Sequence, residues 1–186
     1  MSARNGRAHN KPKSNLWGNI VRRRGSEKGK TLRMLQKTPF FAEMTIPELR
    51  ELRKIMRRKT FRDNEPIFWE GEPGVGMYIV RAGRVGIYSI SKNQQKEELA
   101  ILGPGEIFGE LALLSEMPRS ATSIAVERTV ILGLFQPDLF QLIARKPRLG
   151  NKFLFQLATV IGERLKGASK ELNLMRAKYD QSKILL

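Results

Sequence analysis

Between Phe61 and Phe135 the chain is cut into short apolar runs by glycine, proline and asparagine, and this punctuation limits the fold more than any other feature. Ile67-Phe68-Trp69, Met77-Tyr78-Ile79-Val80, Val85-Gly86-Ile87-Tyr88, Leu99-Ala100-Ile101-Leu102, Thr122-Ser123-Ile124-Ala125-Val126 and Thr129-Val130-Ile131-Leu132-Gly133-Leu134 are the runs. Short, β-branched segments between turn residues predict an antiparallel sandwich or barrel. Arg81-Ala82-Gly83-Arg84 and Lys92-Asn93-Gln94-Gln95-Lys96 read as hairpin connections. Gly71, Gly74 and Gly76 are spaced like a phosphate loop, but no Lys-Ser/Thr pair and no helix follow, so they are assigned to turns.

Helical periodicity flanks this block. Thr45-Ile46-Pro47-Glu48 has capping-box spacing, and Leu49, Leu52, Ile55 and Met56 form an apolar stripe. Arg57-Arg58-Lys59 is expected to end that helix, where cations suit the dipole. Phe40-Phe41 just before it is expected to anchor the core, and Pro137 opens a short helix through Ala144. After Pro147, Leu154, Ala158, Ile161, Leu165, Ala168, Leu172, Met175 and Tyr179 alternate by four and three, a heptad seam. The first two turns are expected to pack on the domain. Leu172, Met175 and Tyr179 lie roughly 16–27 Å further along a helix rising about 1.5 Å per residue. A parallel homodimer through the 150–180 helix is therefore the preferred reading, with Gly162 and Gly167 as the place where a bend would fall.

The net charge of +16 suggests a nucleic-acid binder until it is divided. Residues 1–30 hold nine Lys/Arg against one Glu, residues 31–144 fifteen against fourteen acids, and residues 145–186 ten against three. The positive field belongs to the two ends, which can steer the chain toward an acidic surface, membrane or nucleic acid. Three segments follow: a basic tail at 1–30 with no fold of its own, a domain at 31–146, and a C-terminal helix at 147–186. Within the tail, Leu16, Trp17, Ile20 and Val21 share a helical face ahead of Arg22-Arg23-Arg24, the pattern of a docking peptide or an interfacial membrane helix. The competing reading is a solvated basic segment. No window approaches the roughly 18 apolar residues of a membrane span, and the N-terminus lacks the apolar region of a signal peptide. A cytoplasmic location, at most membrane-peripheral, is expected. There is no cysteine and the one histidine, His9, lies in the tail, which argues against thiolate or histidine chemistry and against a metal site. No nucleophile–base pair is visible, so no enzyme is expected.

Residues 103–125 concentrate the chemistry. A Gly-Pro-Gly turn precedes a short helical run from Gly109 to Leu114, then a polar loop at Ser115, Glu116 and Met117, then Pro118-Arg119-Ser120-Ala121. A glycine-led helix start offers unpaired N–H groups to an anion. Arg119 adds a permanently charged fork suited to phosphate oxygens, and Glu110 is an acceptor for a neighbouring hydroxyl. The set asks for a small ligand with one phosphate and a free sugar hydroxyl.

Phe108-Gly109-Glu110-Leu111-Ala112-Leu113 followed by Pro118-Arg119-Ser120-Ala121-Thr122 resembles the phosphate-binding cassette of cyclic nucleotide-binding domains. That family includes the bacterial catabolite activator and the regulatory subunits of cyclic-AMP-dependent kinase. The likeness extends from about Phe40 to Leu165 and takes in Tyr78-Ile79-Val80, Gly83 and the Leu-Gly-Pro-Gly-Glu run at 102–106. It implies a mainly β fold with flanking helices (α+β): an eight-stranded antiparallel β-roll, or jelly roll, interrupted by the cassette and followed by a long C-terminal helix. It also implies roles. Arg119 would pair with the cyclic phosphate and Glu110 would accept from the ribose 2′-hydroxyl. Backbone N–H groups near Gly109, Leu111, Ala112 and Ala121 would complete the cradle beside Phe108. Val85 and Leu99 would line the base pocket, and Ser120 would bond phosphate or guanine. Arg164, Ala168 and Ser169 are candidate caps over the base. Cyclic AMP is the expected ligand, with cyclic GMP the variant and cyclic di-GMP disfavoured by Glu110.

The expected function is an allosteric sensor signalling to a separate protein effector. A DNA-binding module after the dimer helix, as in the activators, is not expected. Two alternatives remain at this point. One is a basic tether to membrane or nucleic acid with a degenerate pocket. The other is a kinase regulatory partner, for which Arg23-Arg24-Gly25-Ser26 would be the substrate-like element.

Overall fold

The computed structural model describes residues 16–90, 95–115 and 117–184, and for 16–26 and 181–184 the backbone alone. Helix α1 (Leu16–Lys37) leads through a 3-10 turn, Pro39–Phe41, to α2 (Ile46–Ile55). Eight strands follow: β1 (Arg57–Phe61), β2 (Pro66–Phe68), β3 (Gly76–Ala82), β4 (Val85–Ile90), β5 (Lys96–Leu102), β6 (Ile107–Phe108), β7 (Thr122–Ala125) and β8 (Thr129–Phe135). A second 3-10 turn, Glu110–Leu113, sits between β6 and β7, and α3 (Gln136–Arg145) and α4 (Pro147–Ile184) come after β8.

The strands pair antiparallel in two four-stranded sheets, ordered β1-β8-β3-β6 and β2-β7-β4-β5. This is the expected eight-stranded roll with flanking helices. The first sheet is apolar on both faces because it has a neighbour on both. Met77 and Ile79 of β3, with Leu132 and Leu134 of β8, pack against Leu35, Phe41, Leu49, Leu52, Leu139 and Phe153 of the helical layer. Their alternates Val80 and Ile131 point into the roll, where they meet Phe61, Phe68, Val85, Phe108 and Ala125. The period of two thus splits one strand between two cores.

Thr45 and Glu48 form the capping box: Glu48 Oε2 accepts from the Thr45 N–H at 2.7 Å, and Thr45 Oγ1 from the Glu48 N–H at 3.5 Å. The helix stops earlier than expected. Met56 is extended, and Arg57-Arg58-Lys59 belongs to β1, paired with Gly133, Leu132 and Ile131 of β8. Only Phe61 of β1 is buried, so the run has no alternation to betray a strand; exposed cations on an edge strand also discourage pairing with other chains. The turn at 81–84 is likewise not a hairpin, since β3 and β4 lie in different sheets. Gly83 makes the crossing at φ +82, where an added Cβ would sit 2.5 Å from Thr129 Oγ1. β4 and β5 do pair directly, but Lys92, Asn93 and Gln94 of their connection lie outside the described residues. So do His9, Glu116 and the side chains of Trp17 and of the Arg23-Arg24-Gly25-Ser26 motif.

Helix α4 carries two stripes. Leu149, Phe153 and Leu157 are buried in the helical layer, with Val160 and Ile161 packed at its margin. From 162 to 180 every residue is exposed, including Leu165, Ala168, Leu172, Met175 and Tyr179 of the heptad seam. The helix runs through Gly162 and Gly167 without a break. Phe153 meets Phe40 edge-on, ring centroids 5.1 Å apart. Phe153→Ala is expected to cost about 3–5 kcal/mol, read as a lower urea midpoint, whereas Leu172→Ala on the exposed seam leaves the midpoint of a dilute sample unchanged.

Candidate functional site

The site is built where β6 hands over to β7. Gly105 donates to the Val80 carbonyl at 2.8 Å and Val80 to the Glu106 carbonyl at 2.9 Å, fixing the Gly-Pro-Gly turn to β3. Two residues of β6 then pair with Tyr78 and Ile79, and the chain leaves the sheet at Gly109. Gly109 holds φ +67, and a Cβ there would lie 2.5 Å from Arg119 Nη1. Only glycine allows the guanidinium this close while starting the turn at Glu110.

Arg119 is 6% exposed. Its Nη1 donates to the Gly109 carbonyl at 3.0 Å, and its guanidinium carbon lies 4.2 Å from the Phe68 ring centroid and 5.4 Å from that of Tyr78. Backbone bonds brace it from below: the Arg119 N–H donates to the Glu72 carbonyl, and the Gly71 N–H to the Arg119 carbonyl, both at 2.8 Å. Burial pulls the guanidinium below its ordinary value, against opposing pulls from Tyr78, Glu72 and Glu110. No carboxylate among the described residues lies within ion-pair distance of it, and Nε is buried with no hydrogen-bond partner. A buried guanidinium short of partners is costly, and an anion at Nε would relieve it.

Glu110, 4% exposed, does have a partner. Its Oε2 lies 2.7 Å from Arg164 Nη1 of α4, and Arg164 Nη2 donates to the Ile107 carbonyl at 2.8 Å. The two ends of the cassette therefore differ. Arg119 is fixed by aromatic rings and backbone, while Glu110 is held by a half-exposed arginine from the C-terminal helix.

Both face a cavity of about 230 Å³. Phe108, Gly109, Glu110, Leu111, Ala112, Arg119, Ser120 and Ala121 line it together. Val85 and Leu99 do not. Val85 is fully buried in the core of the roll, and Leu99 is 55% exposed on the outer face of β5. The period of two explains Leu99: Ala100 and Leu102 have the opposite parity and line the cavity with Ile87 of β4, which pairs with Ala100. Val85 shares the face of Ile87 but sits in the core of the roll. Phe68, Met117 and Pro118 also line the cavity and were not expected there. Phe68 had a readable hint, as an aromatic in a short strand, but its place under Arg119 depends on pairing between β2 and β7, which no local pattern reveals. Of the three candidate caps, Arg164 reaches the cavity; Ala168 and Ser169 lie further along α4 and are exposed.

Residues 58–146 match the family model described as "Cyclic nucleotide-binding domain". The chain is 36% identical over 138 residues to the "Cyclic AMP receptor protein" of Thermus thermophilus, a match covering 74% of this chain and 62% of that protein. The crystal structure of the Thermus thermophilus catabolite activator protein superposes with a TM-score of 0.68 over the same shares. The N-terminal domain of a transcriptional regulator from Streptomyces coelicolor gives a TM-score of 0.65 at 30% identity, covering 70% of this chain and 94% of that one. Residues 58–146 belong to the cyclic nucleotide-binding domain family, for which a cyclic nucleotide is the supported ligand. The chain spans about six tenths, or less, of the full-length curated relatives it matches. Among the described residues no helix is long and apolar enough to cross a membrane, and no acidic or histidine cluster converges on a metal position.

Gly109→Ala is expected to cost about 1–3 kcal/mol by forcing a side chain into positive φ against Arg119. A urea titration with an unshifted midpoint would contradict the close approach.

Proposed function

We propose that the chain is a non-catalytic sensor of cyclic AMP. The observation that carries this reading is the buried Arg119, whose Nε lacks a partner while its Nη1 is fixed on the Gly109 carbonyl. A cyclic phosphate supplies one negative charge with acceptor oxygens, and the first N–H groups of the turn at Glu110 add donors. Glu110 is the acceptor available for a ribose hydroxyl. Ile87, Ala100 and Leu102 offer an apolar wall for the base, and Ser120 stands at the rim. Cyclic AMP is preferred over cyclic GMP because this wall is apolar and presents no donor–acceptor pair for a guanine edge apart from the Ser120 hydroxyl.

The output runs through α4. A ribose that takes Glu110 competes with Arg164 for the same carboxylate, so occupancy changes the contact between cassette and helix. Differential affinity then sets the shift in population, with a coupling of about 1–3 kcal/mol. The exposed seam from Leu165 to Tyr179 is suited to a parallel coiled coil with a second copy, and the partner effector acts on that dimer. The location we propose is cytoplasmic, with the basic ends available to an acidic surface.

Arg119→Ala should weaken cyclic AMP binding by roughly 30-fold or more with the circular dichroism spectrum retained. Isothermal calorimetry returning wild-type affinity would refute the site. Leu172→Glu with Met175→Glu should yield a monomer in sedimentation velocity that still binds the nucleotide; a persisting dimer would sink the seam assignment.

A further inference from the structure

Helix α1 is clamped to the roll by a charged latch that the nucleotide site does not use. Arg81 on β3 has a side chain only 10% exposed, and its Nη2 lies 2.6 Å from Glu27 Oε2. Its Nε donates to Thr31 Oγ1 at 2.9 Å, and Thr31 Oγ1 in turn donates to the Glu27 carbonyl at 3.1 Å. Beside the latch, α1, α2 and β1 enclose a groove of about 110 Å³. Its walls carry Lys28, Arg53 and Arg58, and its floor is Met56 and Leu132. Glu27 is the one acid in the wall, and Arg81 already neutralises it. Among the described residues Lys28, Arg53 and Arg58 have no acid within ion-pair distance, unlike Lys54, Arg57 and Lys146 nearby. Three uncompensated cations on three elements therefore converge where α1 leaves the domain.

We propose that this α1–α2–β1 surface is a docking face for an anionic lipid bilayer. The same helix continues N-terminally into Arg22-Arg23-Arg24 and, before them, Leu16, Trp17, Ile20 and Val21. Basic residues next to an apolar and tryptophan-bearing helical stripe are the composition of an interfacial membrane segment. A nucleic-acid surface would use the charges and leave the apolar stripe without a role. By helical period, positions 17, 21 and 24 share one stripe of the α1 backbone with position 28, which lines the groove. The proposal extends the acidic-surface part of the function above and is independent of the nucleotide pocket, since no residue of the groove lines that cavity.

The test is co-sedimentation of the full chain with phosphatidylcholine vesicles, with and without a third phosphatidylserine, at about 0.1 M salt. Wild type should sediment with the anionic vesicles only. Lys28→Gln with Arg53→Gln and Arg58→Gln should lose about 100-fold in partition coefficient, and Lys28→Gln alone, on an exposed helix face, about fivefold. Arg53→Lys with Arg58→Lys should bind as wild type. The proposal is overturned by wild type that ignores anionic vesicles, by a triple variant that sediments like wild type, or by a duplex oligonucleotide that binds where vesicles do not. Cyclic AMP titration of each variant should give wild-type affinity, so failure of the lipid face and failure of the sensor reading are told apart.

Discussion

A guanidinium withdrawn from water onto two aromatic rings loses its hydration whether or not an anion replaces it. In this protein Arg119 bears that cost, and much of the roll is arranged to let it do so. Phe68 and Tyr78 come from different sheets, so the rings meet under the cation only because the roll closes. Gly109 lacks a Cβ where one would collide with Nη1, and its carbonyl accepts one of the five donors. What remains is a fixed positive charge lining a small cavity, with one donor, Nε, buried and unused. In the proposed sensor this constraint would favour nucleotide recognition, because the charge is oriented before a ligand arrives and little reorganisation would be needed.

Glu110 is the counterpart held by a side chain from another element, Arg164 of α4. Arg164 is attached to a helix whose first stripe, Leu149, Phe153 and Leu157, is sunk into the helical layer, while its second stripe stands in solvent. One residue thus connects the pocket to the exposed part of α4. A carboxylate able to choose between an arginine and a sugar hydroxyl is a two-state element with both states hydrogen-bonded. In the proposed sensor the coupling would run through this single ion pair of 2.7 Å rather than through a chain of packed side chains.

The fold was largely legible in the sequence, because it rests on local patterns. Six short runs became strands, the capping box formed as spaced, and Pro137 and Pro147 mark the starts of α3 and α4. The cassette residues were legible for a related reason: Gly109, Glu110 and Arg119 are needed as chemical types at a fixed spacing. What escaped depends on pairing. Arg57-Arg58-Lys59 is a strand only because β8 offers its edge, and the 81–84 turn crosses between sheets because β3 and β4 pair with other partners. Leu99 was misplaced by a question of facing, which a bulge between Ile87 and Tyr88 makes harder to count from sequence. Val85 shares the inward face of Ile87 but is sunk in the core of the roll, away from the cavity. The Arg81 latch joins residues 27 and 81, and nothing in either neighbourhood announces the other.

A crystal structure of the chain grown with cyclic AMP would test the central claim most directly. The account predicts a phosphate oxygen within hydrogen-bonding distance of Arg119 Nε, with Glu110 turned from Arg164 to the ribose 2′-hydroxyl. A nucleotide bound elsewhere, or a cavity filled by the protein's own side chains at saturating ligand with Nε still unpartnered, would contradict it.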